Sequence, residues 1–587
     1  MRKKVALILV FVMCLSCFAG CTSEPGESST SSAASSTVSE AKEDSSSTAS
    51  TAETGDSNGD ANADKAFTKF EEPVDVHIAM GVSPTDTSLP AGDSVDNNQY
   101  TRYLKDNYNI NIICDWSAAY GDDVNQKVAL AIASDNLPDG LATNRMYKTT
   151  AAKMGLLYDI TDLFQEYASD QVKGVMDSTD GRAYEDASYD GKQVCLVGIE
   201  VETGGVSVMN IRKDWLDELN LEVPETIAEI ETVAKAFRDE KPAGDATVPI
   251  MGVGKGSSPY AFFLEANNLQ FRFDPIFQAL DAYPGFWLDN GDGTVSYGTN
   301  SENTKAGLEV LANWYAEGLI DPELGIRDTP LEEVNAGNVG IYFAPWWSIG
   351  YGSFDVYTND PTTNWQAYPV YTDDGEWYTH MPSTTNSYTL ISANASEDAV
   401  KAMIIMQNAL LRDEATFDVS VELGWYPIRN LMAPADECEY TYHELFKVLD
   451  GEIDPNGYTS PNSSYKLLDA DVHKVLEVVK DYEKGQDLTI DNFIQDDMGK
   501  FARMYSLLVG DKPYATVEPA KKVYSVTYTT TETIEKKWSN LKTMEDETVL
   551  KIITGKADID SFDTFITDWE SQGGNELIAE IEADMGK

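Results

Sequence analysis

Residues 206–237 read VSVMNIRKDWLDELNLEVPETIAEIETVAKAF, and no other run in the 587-residue chain restricts the fold so tightly. Val206 to Ile211 carries the apolar density of a buried strand. Asp214 is placed to cap a helix that puts Trp215, Leu216 and Leu219 on one face. Asn220 suits the left-handed residue that ends it, and Pro224 prevents the helix from resuming at once. Thr226 and Glu229 then have capping-box spacing, and Ile227, Ile230, Ala234 and Phe237 line the buried face of a second helix. A buried strand followed directly by helices is the unit of an α/β sheet.

The same alternation runs through the rest of the chain. Val74–Met80 reads as a strand, Gln99–Asn107 as a helix, Asn109–Asp115 as a strand and Asp122–Ser134 as a helix, which predicts a parallel α/β sheet. Leu137–Gly140 (LPDG) reads as the turn into the next strand, with Asp139 as a turn residue. A second series follows through Pro249–Gly254, a helix over residues 301–317 ended by Gly318, and a strand over Ala336–Ala344. About 520 residues remain beyond the N-terminal segment, too many for one core, so two lobes are expected.

The string IRKDWLDELNLEVPET resembles a signature of the extracellular family 1 solute-binding proteins of bacterial ABC importers, in particular the long lipoprotein branch associated with complex oligosaccharides. LPDG, YDGK at Tyr189–Lys192, NWYAEGLIDPE at Asn313–Glu323 and KIITGKADIDSFDTFITDWESQGG at Lys551–Gly574 are similar to the same family and occur in its order. The resemblance implies a two-lobed periplasmic-binding-protein-like fold of type II, large cluster, with a hinge between the lobes. On this reading lobe 1 takes roughly residues 72–203 plus 340–400 and lobe 2 roughly 204–339 plus 401–587. Chain crossings are expected near 200–206, 330–345 and 400–430.

Residues 1–20 read as a signal peptide: Arg2, Lys3 and Lys4, then the apolar Val5–Cys17, then Phe18, Ala19 and Gly20 before Cys21. The resemblance makes FAGC a lipobox, with Phe18 a less usual first residue, and Cys21 the lipidated N-terminus. Residues 21–64 are Ser-, Thr- and Ala-rich without an aromatic residue and read as a disordered tether to the solute-binding domain, 65–587. The net charge of −55 grows more negative when the signal is removed, which disfavours nucleic acid and anionic lipid surfaces. Cys114, Cys195 and Cys438 form no disulfide framework. His77, His380, His443 and His473 have no metal-ligand spacing.

Ligands of open α/β sheets collect beyond the carboxyl ends of strands, which selects Pro345, Trp346 and Trp347. Indole faces cover the C–H patches of a pyranose while polar side chains serve its hydroxyls. The same rule selects Trp116 and Tyr120 after the second strand and Asn144 and Arg145 after the third. Trp425 and Tyr426, in LGWYPIRN, stand where the family often carries a Gly-rich ligand-side turn and are read as sugar-facing. Trp287 and Tyr283 complete the aromatic candidates, whereas Trp215 and Trp314 are read as core.

No cofactor is expected. Relatives that import acidic oligosaccharides often carry an EF-hand-like loop after the second helix of the opening stretch. Here Arg238–Gly252 offers only Asp239, Glu240 and Asp245, and Asp289–Gly293 reads as a hairpin turn, so calcium is not favoured. The resemblance implies binding without catalysis: capture of a sugar or oligosaccharide by a monomer at the outer membrane face, for delivery to permease subunits. A surface glycoside hydrolase or a non-transport polysaccharide-binding protein is the alternative, because 98 acidic residues always provide some carboxylate pair at glycosidase spacing.

Overall fold

In the computed structural model, residues 65–585 are described except 83–87, 120–121, 266–268, 418–420, 422, 429, 466 and 529–530. The signal peptide, the tether, Cys21 and Tyr120 therefore lie outside the described residues. Nine strands build the two main sheets: β1 (Val74–Val82), β2 (Ile110–Ala119), β3 (Gly140–Thr143), β4 (Cys195–Ile199), β5 (Val208–Arg212), β6 (Val248–Ile250), β7 (Val339–Ala344), β8 (Trp365–Tyr368) and β9 (Thr385–Ile391). The helices used below are α1 (Arg145–Lys153), α2 (Arg182–Ala187), α3 (Lys213–Leu219), α4 (Ile227–Glu240), α5 (Glu397–Asp413) and α6 (Glu532–Ile553).

The first lobe is built on a five-stranded sheet in the order β2-β1-β3-β9-β4, and the second on a four-stranded sheet in the order β8-β5-β7-β6. Strands β1, β2 and β3 are parallel, as their spacing predicts. Neither sheet is wholly parallel. Strand β9 runs antiparallel to β3 and β4, and β5 antiparallel to β7 and β8. The reason is connectivity: β5 and β9 are entered from the crossing between lobes and run away from it, while their neighbours run towards it.

Sheet membership corrects the expected lobe boundaries. Strand β7 pairs with β5 and β6, so residues 340 to about 380 belong to the second lobe, whereas β9 and α5 pack in the first. The chain crosses at residues 199–206, 381–385 and 431–436; residues 330–345 do not cross. The crossings are bonded together. Ile199 N–H donates to Leu431 O at 2.8 Å, Ala433 N–H to Ile199 O at 3.0 Å, and Glu202 N–H to Ala435 O at 2.9 Å.

The opening stretch folds as its sequence dictates, with one difference. Asn220 ends α3 at φ 55°, and Thr226 and Glu229 form the capping box of α4. Asp214 does not cap α3; its carboxylate instead takes the Arg212 guanidinium at 2.5 Å. Trp215 meets Phe237 edge-on with ring centroids 5.2 Å apart, and both lie over Gly340 of β7, where a Cβ would stand 2.4 Å from the Phe237 ring. The alternation of β7 divides the second lobe into two cores: Ile341 and Phe343 join Trp215, Phe237 and Trp314 on one face, while Tyr342 and Ala344 join Trp346 and Trp365 on the other. The first lobe has one core between its sheet and α5. Each large apolar side chain so enclosed stabilises the fold by roughly 1.5–3 kcal/mol relative to exposure.

Candidate ligand-binding cleft

The carboxyl ends of β1, β2 and β3 point to the same side as the crossings, and the polar groups of the first lobe converge there. Asn144 ends β3 and caps α1, its Oδ1 accepting from Tyr147 N–H at 3.3 Å. This capping role fixes the start of α1 and therefore the position of Arg145. Arg145 Nη2 lies 2.9 Å from Asp186 Oδ1 at the end of α2. The other carboxylate oxygen of Asp186 accepts from Thr385 Oγ1 at 2.7 Å, and Thr385 also bonds the Tyr388 phenol. Beneath them Lys148, 4% exposed, donates to the carbonyls of Asp186 and Ser188 at 2.8 and 2.9 Å.

The second lobe faces this group through the segment after residue 523 and the start of α6. Tyr524 lies under the Arg182 guanidinium at 4.4 Å, and its hydroxyl donates to Glu202 Oε1 at 3.2 Å. Arg182 also bonds Glu202 and donates from Nε to Thr384 Oγ1 at 3.2 Å, so one side chain of the first lobe touches two of the three crossings. Tyr528 donates to Met381 O at 2.6 Å.

Charges act across the gap. Burial pulls the Arg145 guanidinium down, but Asp186 and the phenols of Tyr388 and Tyr528 outweigh it and hold the cation above its ordinary value. Burial, and then Glu535 of α6, push the Tyr147 phenol up. Burial pulls the Lys148 ammonium down. The result is a network of guanidinium, carboxylate and phenol groups shared by both lobes, buried at Asp186, Thr385 and Tyr388 and partly exposed at Arg145, Tyr524 and Tyr528.

The aromatic candidates separate by burial. Trp347, directly after β7, is half-buried against the second lobe's outer core and is the member of the Trp346–Trp347 pair with an accessible face. Trp346 is 3% exposed and packs inside that core, its position set by Gly510, where a Cβ would stand 2.0 Å from Trp346 O. Trp287 is fully buried among Phe263, Tyr297, Trp538 and Trp569 and so is core, not surface. Tyr426 is likewise enclosed, between Tyr100 and Phe417, and donates to Met406 O at 2.9 Å. Trp425 is buried in the first core with its indole N–H on Ser88 Oγ at 3.2 Å. These corrections share a cause: the rings that looked available in sequence are large apolar surfaces, and their burial is favourable. Trp116, on the edge strand β2, is half-buried with Lys127 over its ring at 5.4 Å. Tyr283 is buried, and Trp215 and Trp314 are core as read.

Sequence reasoning picked Arg145 and Asn144 but missed Asp186, Thr385, Tyr388, Tyr524 and Tyr528. Only the pair of tyrosines in VYSVTY, on a segment too short for a helix, carried a local signal. His380 is buried between Gln278 and the Gly205 carbonyl, with Asp274 at 3.5 Å, and burial pulls its imidazole down against that carboxylate. Residues 289–293 make the turn between the antiparallel pairs of Trp287–Asp289 and Val295–Tyr297. In the loop after α4, Asp239 is bound to Arg238 and Asp245 to Lys241. Among the described residues no group of three or more His, Cys, Asp or Glu is arranged to hold a metal ion, and no helix is long and apolar enough to cross a membrane.

Comparison with known proteins agrees with this architecture. The fructooligosaccharide ABC transporter substrate-binding protein FusA of Streptococcus pneumoniae is 25% identical over 243 residues, 39% of this chain and 43% of FusA, so the match spans less than half of that relative. The polygalacturonan/rhamnogalacturonan-binding protein YtcQ of Bacillus subtilis is 21% identical over 480 residues, 77% of this chain and 81% of YtcQ. Among solved structures, an HMO binding ABC-transporter associated solute-binding protein from Bifidobacterium longum infantis superposes with a TM-score of 0.55 at 16% identity, over 88% of this chain and 98% of that one. The sequence pattern described as bacterial extracellular solute-binding protein matches residues 86–412, more than half of the chain. This chain belongs to the bacterial extracellular solute-binding proteins.

Proposed function

We propose that this protein is the lipid-anchored capture component of an ABC importer, which takes a sugar or oligosaccharide between its lobes and delivers it unaltered to membrane permease subunits. The observation that carries the reading is the polar floor built from both lobes: Arg145, Asp186, Thr385 and Tyr388 on one side, Tyr524 and Tyr528 on the other, with three bonded chain crossings beneath. The partly exposed Arg145, Tyr524 and Tyr528 offer polar groups to sugar hydroxyls from two directions, and the half-buried Trp347 is a further ring left partly exposed after β7. A ligand that touches both lobes binds the closed arrangement better than the open one, and that differential affinity drives closure. The names of FusA and YtcQ support a saccharide. FAGC supports lipidation at Cys21, whose acyl chains contribute about 0.8 kcal/mol of membrane affinity per buried methylene.

The protein, incubated with a mixture of oligosaccharides, is expected to deplete one or a few species from solution and release them intact on denaturation. Appearance of shorter sugars would instead make it a hydrolase. Replacement of Cys21 by Ala should move the protein from the membrane fraction to the medium; a variant that stays membrane-bound refutes the anchor.

A further inference from the structure

We infer that the cleft selects uncharged oligosaccharides and rejects chains of uronic acids, an inference that rests on the saccharide reading above. A uronate carries one carboxylate per sugar unit, and a site built for it must supply cations that the protein's own acids do not already neutralise. At the hinge end of this cleft the cations of the floor itself, Arg145, Arg182 and Lys148, are each already held by groups of the protein. Arg145 faces Asp186 at 2.9 Å. Arg182 is bound to Glu202, with Asp180 at 3.9 Å, and its face is covered by Tyr524. The Lys148 ammonium is turned away into the carbonyls of Asp186 and Ser188.

From the second lobe, Arg272 is nearly buried, donating to Tyr260 O at 2.8 Å with Glu265 at 4.0 Å. Lys521 is bound to Asp281 and Lys522 to Glu518. Lys255, beyond the edge strand β6, is exposed, where water screens it. Glu535 adds an acid on the facing helix, near Tyr147.

A matched pair such as Arg145–Asp186 attracts and repels an incoming carboxylate almost equally, so the ligand would lose its hydration without a net Coulombic return. A neutral hydroxyl loses far less hydration, and the hydrogen bonds it regains from a guanidinium and a carboxylate offset that loss. The chain's net charge of −55 acts in the same direction at longer range.

The test is a competitive panel. The purified protein is mixed at 20 and 200 mM NaCl with neutral fructo-, malto-, xylo- and galacto-oligosaccharides and with galacturonate, glucuronate and mannuronate oligomers of matched length. Retained sugar is identified by mass spectrometry after rapid desalting. Retention of neutral oligomers alone, unchanged between the two salt concentrations, is the expected result. Retention of a uronate oligomer as strongly as any neutral one overturns the selection and leaves the saccharide reading standing, whereas retention of no sugar of either kind overturns both. Asp186→Asn, which keeps the shape and the Thr385 contact but frees the guanidinium, should raise galacturonate affinity at least tenfold at 20 mM NaCl. A folded variant, judged by its melting curve, that gains nothing contradicts the role given to the Arg145–Asp186 pair; if it does not fold, the wild-type panel decides.

Discussion

In the first lobe the carboxylate of Asp186 is buried 2.9 Å from a guanidinium and bonded to Thr385, at the edge where a ligand would lie. The second lobe treats buried acids differently. Glu545 of α6 is fully enclosed by Tyr260, Tyr297 and Thr299, whose hydroxyls donate at 2.7, 3.0 and 2.8 Å, with no cation in the group. Asp511 is enclosed without a hydrogen-bond partner for either carboxylate oxygen, and the nearby Arg503 is bound to Asp471. Burial pushes the Glu545 carboxyl up to about 7, against the three hydroxyls that pull it down, and burial followed by Glu439 pushes Asp511 well above the carboxylate range. The first lobe thus keeps its buried charge paired and near the cleft, where it can act on a ligand. The second lobe, beside the paired Asp321–Arg327 and Asp471–Arg503, encloses Glu545 and Asp511 without a bonded cation inside the scaffold, where they act on stability.

The largest expected effect separates scaffold from site in the second lobe. Trp287→Ala should cost about 3–5 kcal/mol, since it empties a ring-filled core that also holds Tyr297 and Trp569. Hydrogen exchange should quicken in α6 while β1 and α5 of the first lobe keep their protection; loss of protection in both lobes at once would erase the independence of the two cores.

Next comes pH. Glu545 has a folded pKa raised above the ordinary carboxylate value, so its contribution is fully present below about pH 4.5 and is lost as pH rises through about 7. The loss over that window is about 3 kcal/mol. Denaturant titrations at pH 5 and 8 should show wild type losing about 2.5 kcal/mol more stability than Glu545→Gln, and equal losses would mean that the carboxyl is ionised in the fold.

Trp347→Ala should weaken saccharide binding by about 1–3 kcal/mol with little change in melting temperature, the reverse of the Trp287 pattern. Unchanged calorimetric affinity would move the ring subsite away from the end of β7. Smallest is Thr226→Ala, which removes one half of the α4 capping box and should lower unfolding free energy by about 1 kcal/mol without touching affinity.

What the sequence made legible was local. The existence and order of β1 and β2, though not their ends, the left-handed Asn220 and the Thr226–Glu229 box all depend on residues within a few positions of one another. The lobe boundary was not legible, because nothing in Val339–Ala344, an apolar run, or in the more polar Thr385–Ile391 states which sheet a strand joins; only pairing does. The cleft floor was illegible for a related reason. Arg145, Asp186, Tyr388 and Tyr528 come from four distant segments, and no spacing rule links a helix end at residue 186 to a tyrosine at 388. The tryptophans show the converse: Trp287 opens a strand and Trp347 follows one, yet the first is sealed in a core and the second is left half-open.

The central claim is that two lobes close on an intact saccharide, and the distance between them reports on it most directly. Spin labels at Met154 and Ile326, 52% and 60% exposed on the first and second lobes, give that distance by pulsed dipolar spectroscopy. With the oligosaccharide selected from the panel at saturating concentration, the distance distribution should narrow and shift shorter, and the sugar should be recovered unchanged. An identical distribution at saturation, or recovery of cleaved sugar, would contradict the account.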